Sequence, residues 1–63
     1  MDRKEFEKKF KARRPANFVI VRLGNAAFYV DDYLFVDDDK YVNLFWRDIE
    51  VGYCKLSSII EVL

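Results

Sequence analysis

The sequence predicts a mainly β domain with one N-terminal helix, folded as a small five-stranded antiparallel barrel. Three observations predict it. The first dozen residues carry apolar side chains at helical spacing. After Pro15 the apolar period falls to two, and short polar turns then separate the alternating runs.

The leading segment is a short amphipathic helix. Asp2 followed three residues later by Glu5 fits a capping box, in which each end satisfies an orphan backbone N–H. Phe6 and Phe10 stand four residues apart and share one face, with Lys and Glu around the rest. Pro15 disfavours helical geometry at Arg14, so the helix is expected to stop near Arg13. A helix this short does not persist alone in water. Phe6 and Phe10 must therefore pack on the body of the chain or on another subunit.

The body reads as strands and turns. Phe18 to Leu23 is apolar on both faces, as in a central strand covered on both sides. Gly24-Asn25 is a turn signal. Ala27 to Val36 forms one long strand-like run, interrupted at Asp31-Asp32 by either a sharp bend or a hairpin tip. Asp37 to Lys40 is the next turn. From Tyr41 to Arg47 the alternation is clean: Val42, Leu44 and Trp46 point one way, and Tyr41, Asn43, Phe45 and Arg47 the other. Arg47-Asp48 turns the chain, Ile49 to Cys54 alternates again, and Leu56-Ser57-Ser58 breaks the pattern. Ile59 to Leu63 closes it. The expected organisation is one domain over residues 1–63, with a basic helix at 1–14 and the barrel at 17–63.

Charge is sorted along this layout. Residues 1–14 hold seven Lys/Arg against three acids, a net of +4, whereas residues 15–63 hold four against eight, a net of −4. A neutral total thus hides a basic leader on an acidic, aromatic-rich body. Either the leader docks onto that body or it meets an acidic partner. Sixty-three residues bury only about 60% of their unfolded surface. One cysteine excludes an intrachain disulfide, and the absence of histidine excludes the common zinc sites. Oligomerisation is then the expected route to extra burial, because eleven aromatic residues exceed what one small core holds. No apolar run approaches a membrane span, and the N-terminus has no secretory pattern, so a cytoplasmic setting is expected.

The chemistry-bearing residues favour binding over catalysis. Without histidine there is no side chain poised as a general base near neutrality, and Ser57-Ser58 lacks a partner base. Cys54 sits in a strand with nothing nearby in sequence to lower its pKa. Asp31, Asp32, Asp37, Asp38 and Asp39 lack the glycine and closing glutamate of a calcium loop and suit solvated turns. No metal, cofactor or small-molecule substrate is therefore expected. Arg13 and Arg14, with Lys8, Lys9 and Lys11, are candidate phosphate contacts. Tyr41 and Phe45, placed opposite the core side of their strand, are candidate contacts for bases or for a protein.

A resemblance sharpens these candidates. Val19-x-Val21-x-Leu23-x-Asn25 resembles the first strand and Asn-Gly turn of the Sm-like family, including its bacterial Hfq branch, and Asp39-Lys40-Tyr41-Val42-Asn43-Leu44-Phe45-Trp46 resembles its first motif. The resemblance implies an N-terminal helix before a five-stranded SH3-like or Sm-like barrel. It also implies base stacking at Tyr41, base holding at Asn43, a supporting role for Lys55, and rings built by strand pairing between subunits. The chain departs from the family pattern at Ala26, at Asp31 and through Lys55 to Ile59, where the second motif is nearly absent.

The expected function is that of a non-catalytic, oligomerising module acting through protein–protein contacts, as an adaptor or small inhibitor. Its interface residues are expected among Phe6, Phe10, Ile59, Ile60 and Val62, with the free edge near Ile59 to Leu63 pairing across subunits. The alternative is an Sm-like RNA binder using Tyr41, Asn43, Phe45 and Lys55 with Arg13 and Arg14.

Overall fold

The computed structural model describes residues 1–13 and 16–63, so the expectations attached to Arg14 and Pro15 lie outside the described residues. The elements are α1 (Arg3–Ala12), β1 (Val19–Leu23), β2 (Ala26–Val30), β3 (Asp32–Val36), β4 (Tyr41–Trp46), β5 (Ile49–Lys55), a 3-10 turn (Leu56–Ser58) and β6 (Glu61–Val62).

Helix α1 starts where the capping residues predict. The Asp2 side chain accepts from the Glu5 N–H at 2.8 Å, satisfying one of the orphan donors of the first turn. The Glu5 carboxylate lies 3.4 Å from Lys9 Nζ, one turn further on. On the opposite face Phe6 and Phe10 are 0% and 1% exposed. Their rings meet Tyr33 edge-on, at centroid separations of 5.1 and 4.7 Å. Burying each contributes about 1.5–3 kcal/mol, which holds a ten-residue helix that water alone would melt.

Six strands form where five are expected. The long run over Ala27 to Val36 is divided at Asp31, with β2 on one side and β3 on the other. The two halves join different sheets. In the first sheet the order is β2-β1-β6, and in the second it is β3-β4-β5, with every pairing antiparallel. Among the described residues no ladder closes the two sheets into a single barrel. Strand β1 is central in its sheet, as its apolar run suggests, but only one face is covered. Val19 and Val21 are buried, Ile20 is half-buried and Arg22 is exposed, bonded to Glu61 at 2.9 Å.

The turns explain how so short a chain reverses so often. Arg47 and Asp48, at φ +51° and +68°, form a two-residue loop between the paired Trp46 and Ile49. Left-handed geometry at both positions matches the right-handed twist of the flanking strands. Asp37, Asp38 and Asp39 have φ of +53°, +56° and +65°. Aspartate tolerates this region better than most residues, which accounts for its concentration here.

One core fills the space between the sheets. It gathers Val19, Val21, Val30 and Val62 from the first sheet and Val42 and Leu44 from the second. Phe6 and Phe10 of the helix and Leu56 and Ile59 around the 3-10 turn complete it. The five residues expected at an interface divide between core and surface. Phe6, Phe10, Ile59 and Val62 are buried in the chain's own core, and of the five candidates only Ile60 stands on the surface, 55% exposed. Packed together with the strand valines, the buried ones fill the single interior that a chain of this size builds. No helix among the described residues is long and apolar enough to cross a membrane.

Candidate functional site

The register of the second sheet builds an outward face from three rows. Val36, Tyr41 and Lys55 stand across one end, and Leu34, Asn43 and Tyr53 across the middle. Asp32, Phe45 and Glu50 stand across the other end, where a register shift between Leu44 and Phe45 lets β5 skip Val51. The opposite face of β4 presents Val42 and Leu44 to the core, so period-two alternation sends these nine side chains away from it.

The face is organised by aromatic and polar contacts. Tyr41 and Tyr53 stack with centroids 5.2 Å apart and ring planes 9° from parallel. Lys55 Nζ sits 6.0 Å from the Tyr41 ring centroid. Tyr53 donates its hydroxyl to Asp37 Oδ2 at 3.1 Å, which reaches across to the β3–β4 turn. The hydroxyl is held above its ordinary pKa by lost solvation first, and then by the Asp37 carboxylate. At the centre, Asn43 Nδ2 donates to Glu50 Oε1 at 2.7 Å, while Asn43 Oδ1 is buried without a hydrogen-bond partner. Leu34 and Tyr53 remain 56% and 52% exposed.

The four strand candidates of the sequence analysis therefore share one face: Tyr41, Asn43, Phe45 and Lys55. Arg13 does not join them. It follows α1 and lines a separate cleft of about 230 Å³ with Lys9, Glu61 and Leu63. Other leader charges are turned to acids, Arg3 to Glu7 and Asp39 at 2.7 Å each and Lys11 to Glu7 at 3.7 Å. The Arg3 guanidinium also lies 5.0 Å from the Phe35 ring centroid. The basic leader is docked on the body, through its phenylalanines and through opposite charge.

Sequence reasoning missed Leu34, Glu50 and Tyr53. The signal for Tyr53 was present in the two-residue turn at Arg47-Asp48, which brings β5 back beside β4. A second aromatic group, Phe18, Tyr29 and Trp46, also escaped notice as a unit. Its centroids lie 4.9 to 6.4 Å apart, joining the start of β1, β2 and the end of β4. Cys54 lies half-buried on the core side, and burial pushes its thiol pKa up. Among the described residues no three His, Cys, Asp or Glu side chains converge to hold a metal ion.

Compared with protein-family models, with curated proteins and with solved structures, the chain matches none of them.

Proposed function

We propose that this chain is a non-catalytic, oligomerising binding module that acts through protein–protein contacts, as an adaptor or small inhibitor in the cytoplasm. One observation carries the reading. The outward face of β3-β4-β5 concentrates Leu34, Val36, Tyr41, Phe45 and Tyr53 on a three-stranded surface, with two of them more than half exposed. Aromatic and aliphatic side chains grouped on one sheet face suit a protein interface. The sole thiol is raised by burial, which opposes a nucleophilic role. A small barrel of SH3-like or Sm-like type is the fold we propose. The division of one run into β2 and β3 at Asp31, and the 3-10 turn before β6, support it. Light scattering behind a sizing column tests the oligomer: a native mass above 7.6 kDa is expected, and a monomer at all concentrations sinks the proposal.

A second reading, an Sm-like RNA binder, is favoured by the stacked Tyr41 and Tyr53 beside Lys55, with the Asn43 amide one position along the same face. Aromatic planes beside a cation suit single-stranded bases. Tyr41→Ala and Asn43→Ala would then abolish binding of short uridine- or adenine-rich RNA. Affinity would also fall steeply with added salt.

A further inference from the structure

The outward face of the second sheet carries opposite charges at the two ends of its β5 edge. Lys55 stands at one end of its β5 edge and Glu50 at the other, with Tyr53 between them. On β4, Tyr41 and Phe45 occupy the corresponding ends, with Asn43 between. The middle row, Leu34, Asn43 and Tyr53, is thus flanked at each end by one row of ladder positions.

We propose that this face pairs with the same face of a second copy of the chain, about a two-fold axis that lies along the middle row. The proposal rests on the oligomer reading above and names its partner and geometry. The axis lies in the contact plane, perpendicular to the strands, so it exchanges the two end rows. Each Lys55 then meets the partner's Glu50, and each Tyr41 meets the partner's Phe45. Leu34 packs on Leu34 and Tyr53 beside Tyr53. Strands of the two copies run nearly aligned, which is the common way for twisted sheets to pack face to face.

An in-plane two-fold along β4 is disfavoured by charge. It would set Asp32 against the partner's Glu50, two like charges at the rim, whereas the proposed axis sets Asp32 over the partner's Val36. The occupant is also constrained by polarity. Glu50 and Lys55 are both exposed, and one attracts the other only after the half-turn of the two-fold. A self-complementary patch of this kind makes an isologous dimer that closes and does not propagate.

The 63-residue chain is examined by sedimentation across a wide concentration range, beside Glu50→Lys, Lys55→Glu and the double swap. The wild type is expected at twice the 7.6 kDa chain mass. By symmetry every Lys55–Glu50 contact occurs twice, so each single substitution is expected to weaken the dimer by about tenfold or more, and the swap to restore it. Glu50→Lys also removes the Asn43 partner. Leu34→Arg therefore serves as a second variant that touches only the exposed middle row, and it is expected to fold as a monomer. A wild-type monomer at every concentration overturns both this face and the oligomer reading. Oligomers indifferent to all four variants overturn the face alone and leave assembly to another surface. Singles that dissociate without rescue by the swap overturn the proposed two-fold. A chain that stays monomeric yet binds short RNA through Tyr41 overturns it in favour of nucleic acid.

Discussion

The Asp31 carboxylate accepts a hydrogen bond from the Arg47 backbone N–H at 3.0 Å, and the Asp31 N–H donates to the Phe45 carbonyl at 2.9 Å. One residue therefore ties the bend between β2 and β3 to the tip of the β4–β5 hairpin. It stands where one run of chain leaves the first sheet and enters the second.

Replacing that carboxylate separates its polar role from its shape. Asp31→Ala is expected to lower stability by about 1–2 kcal/mol, because the Arg47 N–H loses a charged acceptor. Asp31→Asn keeps an acceptor oxygen and is expected to retain most of it. Urea unfolding followed by tryptophan fluorescence reads both, and equal losses for the two variants would contradict the role assigned to the hydrogen bond.

Phe6 is the most exacting test of helix docking. Phe6→Ala is expected to cost about 3–5 kcal/mol, a large share of the roughly 3–9 kcal/mol that scaling by length gives a chain of this size. Phe6→Leu nearly fills the same volume and is expected to cost about 1.5 kcal/mol. Far-UV circular dichroism and urea midpoints measure both effects. An alanine variant as stable as the wild type would mean that α1 is not part of the core.

The turns invite a stabilising change. Asp48 has φ +68°, where glycine avoids the strain that a Cβ imposes. Asp48→Gly is expected to raise stability by up to about 1 kcal/mol, completing the glycine-second pattern of this hairpin loop. Gly24, at φ +52°, is the converse. Nothing lies within 4 Å of a Cβ built there, so Gly24→Ala is expected to cost about 1 kcal/mol from backbone strain alone. Thermal midpoints moving in opposite directions would verify the pair.

Acid should loosen the helix surface. Hydrogen bonding to Arg3 holds the Glu7 carboxyl below its usual 4.5. A carboxylate depressed in the folded state stabilises fully above its unfolded value and loses that contribution as pH falls through the folded one. Stability measured from pH 6 downward is therefore expected to fall below about 4.5, and Glu7→Gln to flatten part of that fall. An unchanged slope in the variant would remove Glu7 from the account.

Cys54 makes a kinetic prediction. Burial raises its thiol above the usual 9.0, so the folded chain holds less thiolate near neutrality than the unfolded one. Alkylation by iodoacetamide at pH 8 is expected to be slower in buffer than in urea. Faster reaction in the folded state would point to an activated thiol.

The sequence by itself determined the local elements. Asp2, Glu5, Phe6 and Phe10 define a helix because capping and i, i+4 spacing are properties of neighbouring residues. The alternation from Tyr41 to Trp46 shows which side chains share a face for the same reason. The Asp-rich and Arg47-Asp48 turns were legible because left-handed backbone tolerates few residue types. Only the tertiary structure decided how those elements pair. The bend at Asp31 was visible as an interruption, but its partners Phe45 and Arg47 lie far along the chain. Phe6, Phe10, Ile59 and Val62 could equally have served a neighbour until packing showed that this chain's own core takes them. Tyr53 and Glu50 joined Tyr41 and Asn43 through cross-strand register, including the skipped Val51. Register depends on contacts between strands, which periodicity within one strand does not encode.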